Sequence, residues 1–168
     1  MLTIGLIELG IFMWNLSRTQ SSVAASIRTA GTQSRVDGYE DQVADSLRAT
    51  AISSNAQPVS LVVYRADPAT GRPATLSAGV TDYSNCTSDC FIFTWNTTTK
   101  TWTKANSPTW EAAVQRACGP SAETDFVGVW MKSNYKPITG YGIKSSFVTR
   151  GIARLEPVPL STGQQCKP

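Results

Sequence analysis

The stretch Met1–Leu16, MLTIGLIELGIFMWNL, is an apolar run interrupted by one carboxylate, Glu8. As a helix rising 1.5 Å per residue it covers about 24 Å, short of the ~30 Å hydrocarbon core that ~20 apolar residues span. It therefore reads either as a buried or interfacial helix or as part of a membrane helix that begins upstream of Met1, and we expect the second. A cleavable secretory signal does not fit, because no basic region precedes the run and no Ala-x-Ala site follows it. An ionisable group at membrane depth costs ~2.5–3.5 kcal/mol and is normally retained because it faces a partner. Glu8 is then either a carboxylate resting near an interface or a contact to a neighbouring helix. Gly5 and Gly10 thin the helix around it without meeting the strict GxxxG spacing. On the assembly reading the contact residues are Leu6, Ile7, Glu8, Leu9, Gly10, Phe12 and Trp14.

Outward from this run the helical pattern continues but turns amphipathic. Val23, Ile27 and Ala30 recur at helical spacing, with Arg18, Gln20, Ser22 and Arg28 between them. Gly31 to Gly38 marks a break. Asp37 with Glu40 has capping-box spacing and predicts a second helix, Tyr39 to Ala51, burying Tyr39, Val43, Leu47 and Ile52. The remainder is β-rich. Val59–Tyr64 predicts a strand, and Cys90–Trp95 with Lys100–Lys104 predicts a hairpin around Asn96. Ser107–Pro108 opens a predicted short helix that ends at Cys118–Gly119. Strands over Phe126–Lys132 and Ser146–Glu156 follow. The fold class is α+β: a long N-terminal hydrophobic helix leading into an antiparallel β-sheet domain with short helices. The expected division is 1–35 for the assembly or membrane helix and 36–168 for an extracellular domain.

Composition narrows the function classes. Of 168 residues 16% are charged, against ~25% in typical globular proteins. The net charge of +3 is carried by scattered Lys and Arg, which argues against nucleic acid as a partner. Histidine is absent, which removes the usual general base and the commonest metal ligand. Cys86, Cys90, Cys118 and Cys166 lack zinc or haem spacing and read as a disulfide framework formed in an oxidising compartment. Three connectivities are possible. Cys86–Cys90 with Cys118–Cys166 is expected, because the second bridge would pin the C-terminal tail at a gain of ~3–4 kcal/mol.

Other residues offer less. Of three Asn-x-Ser/Thr triplets, at Asn15, Asn85 and Asn96, only Asn96 at the hairpin tip is a glycosylation candidate. Asp82, Asn85 and Asp89 supply oxygens near a bend without the spacing of a known calcium loop. Trp95, Trp102, Trp110 and Trp130 are explained by core and cross-strand packing more simply than by a ligand platform. Glu111, Asp125 and Glu156 could furnish a glycosidase carboxylate pair only if the fold brought two of them together. The expectation is no enzyme and no cofactor.

The N-terminal pattern GLIELGIFMWNLSRTQSSVAASIRTAG, Gly5–Gly31, resembles the TadE and TadG pseudopilin family. So do Asp125-Phe126-Val127-Gly128-Val129-Trp130, Pro137-Ile138-Thr139-Gly140 and Ala153-Arg154-Leu155-Glu156-Pro157, in that order. The resemblance covers both ends of the chain. It implies a pilin-like fold and a structural subunit of a tight-adherence (Tad, type IVc) pilus. The implied partners are copies of itself in a helical filament, other pilus subunits, the assembly machinery and, before assembly, the inner membrane. The mature filament would be extracellular, at the cell surface, and serve adhesion. The family's cleavage-site glycine, followed several residues later by Glu, has no counterpart here, since Glu8 stands three residues after Gly5. The other function class is a monomeric, membrane-anchored binding domain, an adhesin that does not polymerise.

Overall fold

The computed structural model describes residues 2–33, 35–52, 55–105, 110–117, 124–138 and 145–157. Helix α1 runs unbroken over Leu2–Thr32 and α2 over Tyr39–Ile52. Five strands follow: β1 (Ala56–Ala66), β2 (Cys90–Asn96), β3 (Thr101–Lys104), β4 (Phe126–Tyr135) and β5 (Ser145–Arg154). They form one antiparallel sheet in the order β3-β2-β1-β4-β5. The α+β class is therefore as the sequence indicated.

Central position explains the composition of β1. Its Leu61-Val62-Val63-Tyr64 run is fully buried because both faces of the sheet are covered, as expected for a continuous apolar strand. On one face lie both helices. Val23, Ile27 and Ala30 of α1 and Tyr39, Val43, Ala44 and Leu47 of α2 share a core with Leu61, Val63, Phe91, Phe93, Val127 and Val129. The segments 1–35 and 36–168 thus bury their apolar residues together. The other face is closed by the loop between β1 and β2: Tyr83 stacks on Trp130 at 5.6 Å and meets Tyr64 edge-on. The Cys86–Cys90 disulfide ties that loop to the start of β2. Cys118 and Cys166 lie outside the described residues.

Two glycines decide how tightly these layers close. A Cβ on Gly151 would stand 2.5 Å from Ile27 Cδ1, so the bare backbone of β5 is what lets α1 settle on the sheet. A Cβ on Gly128 would fall 2.3 Å from the Tyr64 ring. At its C-terminus α1 exposes carbonyls that need donors, and the Glu156 N–H bonds Gly31 O at 2.9 Å.

Several local expectations require correction. The α2 start is not a capping box: Gly38, with φ 78°, offers its carbonyl to Asp41 and Gln42 N–H, while the Glu40 carboxylate pairs with Lys104. The helix expected from Ser107 to Cys118 is, among the described residues, one 3-10 turn over Ala112–Val114 with extended backbone on either side. Asn106–Thr109 and 118–123 lie outside them, as do the side chain of Ile52 and the tail beyond Pro157. The strands run longer than their apolar cores, β4 reaching Tyr135.

Candidate assembly face

Helix α1 lies along β5 in the same direction, with Glu8 near the end of β4, Ile27 against Gly151 and Gly31 beside Arg154. Its sheet-facing stripe can be followed from end to end by burial: Glu8, Asn15, Thr19, Val23, Ser26, Ile27 and Ala30. This stripe changes character halfway along. Past Leu16 it becomes mainly apolar and its solvent side carries Gln20, Ser21 and Arg28, the ordinary arrangement of a helix on a core. Before Leu16 the arrangement is reversed. The buried positions hold Glu8 and Asn15, while Leu6, Ile7, Leu9, Met13 and Trp14 point outward, each between 53% and 60% exposed.

Most of the inward polar groups find partners within the chain. Glu8, only 8% exposed, accepts a hydrogen bond from the Tyr135 hydroxyl and one from the Ile138 N–H at 3.2 Å. Burial, reinforced by the adjacent carboxylate, pushes the Tyr135 hydroxyl up to about 12. The Asn15 amide nitrogen donates to Ile11 O at 2.8 Å and the Thr19 hydroxyl to Asn15 O at 2.8 Å, a common way for polar side chains to bond inside a helix, while the Asn15 Oδ1 is buried with no hydrogen-bond partner among the described residues. Phe12 completes the attachment, edge-on to Tyr135 at 5.1 Å and to Phe147 at 5.9 Å. Arg18 marks the outer face's polar limit, its guanidinium 5.4 Å from the centre of the Trp14 ring, within cation–π range.

Of the expected assembly residues, Leu6, Ile7, Leu9, Gly10 and Trp14 are exposed on the outer side. Glu8 and Phe12 are engaged by their own domain. The contacts of Glu8 within its own domain include Tyr135 and Ile138. Tyr135 and Phe147 were missed by sequence reading, the first because it reads as part of a loop after β4. The alternation Ser146-Phe147-Val148 signals a strand, but not which helix its aromatic meets. Among the described residues no helix is long and apolar enough to cross a membrane.

The remaining candidate residues are dispersed. Asp82 bonds Lys132 at 2.7 Å and Ser84, which together hold its carboxyl down at about 2. Asp89 lies 3.6 Å from Arg65, so both carboxylates considered for calcium face side-chain cations of the chain. Among the described residues no group of three or more His, Cys, Asp or Glu could hold a metal ion. Trp95 and Trp102 pair across the hairpin at 5.0 Å, whereas Trp110 and Trp130 are buried in different cores. Asn96 is exposed at the hairpin, its side-chain oxygen accepting the Thr98 and Thr99 N–H groups at 2.9 and 3.1 Å. Asp125 bonds Arg65, and Glu111 lines a separate cleft with Glu40 and Lys104. Compared with known proteins, no family model, no curated sequence and no solved structure matches the chain.

Proposed function

We propose that this chain is a structural, pilin-like subunit of an extracellular filament of the tight-adherence kind its sequence resembles. Copies assemble by burying the outer apolar face of α1. The observation that carries this reading is the reversed polarity of the first half of α1. Five large apolar side chains face outward while a carboxylate and an amide face the sheet. A contiguous exposed apolar surface of this kind marks a site that something else covers. Burying a side chain of this size gains about 1.5–3 kcal/mol, so the same face on successive copies supplies a cohesive filament core. A contact between different patches repeats without closing and gives open-ended growth. Before assembly the same face rests at the membrane, with the remainder of the domain outside the cytoplasm and available to the assembly machinery and other subunits. The finished filament serves surface attachment.

In this reading Glu8 is an internal tie. By holding the N-terminal half of α1 to Tyr135 and Ile138, it makes helix and sheet one rigid building block. The competing reading, a monomeric anchored adhesin, leaves the face in lipid permanently. The two part on one experiment. The triple variant Leu6→Gln, Leu9→Gln, Met13→Gln is expected to remain folded and to abolish filaments seen by electron microscopy in cells producing the full-length protein. Filaments of unchanged number would overturn the proposal, and wild-type protein that stays monomeric and lipid-bound under all conditions would favour the adhesin.

A further inference from the structure

At the end of the sheet away from Glu8, a cleft of about 540 Å³ opens between the ends of β1, β4 and β5. Among the described residues its charged lining is Arg65, Arg116, Arg154, Asp67 and Asp125. Asp125 is almost entirely committed. Its Oδ1 accepts Arg65 Nε at 3.1 Å and its Oδ2 accepts the Arg116 backbone N–H at 2.9 Å. Its own N–H donates to Arg116 O at 2.8 Å and its carbonyl accepts Leu155 N–H at 3.0 Å. The residue therefore ties together β1, β4, the exit of β5 and the segment after the 3-10 turn, and neutralises Arg65.

Among the described residues the other two guanidinium groups have no ion-pair partner. The ion pairs among the described residues are Arg65 with Asp89 and Asp125, Lys104 with Glu40, and Lys132 with Asp82. Among the described residues the Arg154 side chain donates to the neutral Thr124 hydroxyl, at 3.0 Å, and that hydroxyl belongs to a buried residue. Arg116 reaches Asp125 through its backbone, and its side chain is left for the cleft. The opposing charge is Asp67 at the rim, whose Oδ1 already accepts the Ala69 and Thr70 N–H groups at 3.0 and 2.8 Å. Ala66, Pro68 and Phe126 form an apolar wall. The volume lies within the ~300–1,000 Å³ typical of small-ligand clefts. A planar guanidinium fork matches carboxylate and phosphate oxygens in two parallel hydrogen bonds.

We propose that this cleft binds an oxyanion, a carboxylate or a phosphate, carried on a compact body of about sugar size, with Arg116 and Arg154 as its ligands. Thr124 orients Arg154, Arg65 closes the floor through Asp125, and the apolar wall receives the body of the ligand. The site lies at the opposite pole from the apolar face of α1 and does not depend on assembly.

The test is an NMR titration of the full chain at low ionic strength with glucuronate, inorganic phosphate and glucose as probes. Glucuronate is expected to shift the Arg116, Thr124 and Arg154 amides, and glucose to leave them in place. Phosphate binding as tightly as glucuronate would show that the bare oxyanion is recognised, and weaker phosphate binding would show that the sugar body contributes. Arg116→Gln is expected to weaken glucuronate about tenfold or more, the loss of a charged hydrogen-bonding partner. It should leave the unfolding temperature unchanged, since only the backbone of Arg116 holds Asp125. Asp67→Asn keeps the turn's acceptor, removes the opposing charge and should tighten binding. The proposal is overturned if neither anion moves these amides at millimolar concentration, or if Arg116→Gln and Arg154→Gln leave the affinity intact.

Discussion

The two halves of α1 belong to one uninterrupted helix and lie on one sheet, yet they are held by opposite means. From Val23 to Ala30 the helix is seated by apolar burial against Gly151 and the sheet core. From Leu6 to Trp14 it is seated by a carboxylate, a phenol and an edge-on aromatic pair, while its apolar residues look away. The difference teaches that one continuous helix can reverse which of its sides is apolar. The C-terminal half turns its apolar residues to the inside of its own domain, and the N-terminal half turns them outward.

The largest effect is expected where attachment is apolar. Ile27→Ala removes a buried side chain from the shared core and should cost about 2–4 kcal/mol, read as a lowered urea midpoint with the slope unchanged. Tyr135→Phe attacks the other half. It deprives buried Glu8 of a donor, a loss of about 1–3 kcal/mol, and hydrogen exchange should quicken at residues 4–14 while Val23–Ala30 stay protected. If both variants loosened the whole helix equally, the distinction between the halves would be wrong. Gly151→Ala should cost about 1 kcal/mol by crowding Ile27. Ile27→Val, which removes the Cδ1 atom in the way, should recover part of it in the double variant.

The sequence made part of this comparison readable and hid the rest. The 3.6-residue spacing of Val23, Ile27 and Ala30 identified the seated half, because apolar periodicity and burial agree there. Continuous β1, the 90–104 hairpin and the Cys86–Cys90 pairing were similarly legible from local pattern. In the first half, apolar residues stand on nearly every side, so periodicity could not say which side met the sheet. The partner of Glu8 is 127 residues away, and no local rule reaches across that separation. The absent capping box and the shortened 107–118 helix have a common cause: Glu40 found Lys104, and Trp110 was drawn into the core beside Tyr39, so tertiary contacts outweighed the local cap and helix signals. In the distal cleft the three arginines are far apart in sequence, and only the convergence of β1, β5 and the segment after the 3-10 turn brings them together.

Alkali offers a way to sharpen the contrast without altering a packing residue. Tyr135 ionises in the unfolded chain near 10 and in the folded one at about 12, so the folded state favours its neutral form. Its contribution is complete below pH ~10 and disappears as pH rises through about 12. Tyr39 and Tyr64 are also raised, both chiefly by burial, and act through the cores on either face of the sheet. Comparing wild type with Tyr135→Phe across this window separates the contributions. The variant should show a shallower alkaline loss of stability, the remainder belonging to the two core tyrosines.

The smallest effect on the folded monomer is expected from the outermost residues. Leu6, Leu9 and Met13 project more than half their surface away from the sheet, and substitutions at such positions usually change stability by less than about 0.5 kcal/mol. Each Gln replacement should therefore leave the urea midpoint of the isolated protein nearly unchanged, while the three together remove the apolar surface proposed to hold copies in register. The sign of the discrepancy is the informative quantity. A variant that is as stable as wild type but no longer self-associates in sedimentation velocity places the role of these residues between molecules. A loss of stability comparable to that of Ile27→Ala would instead place them inside the domain, and the reversed polarity of the first half of α1 would lose its functional meaning.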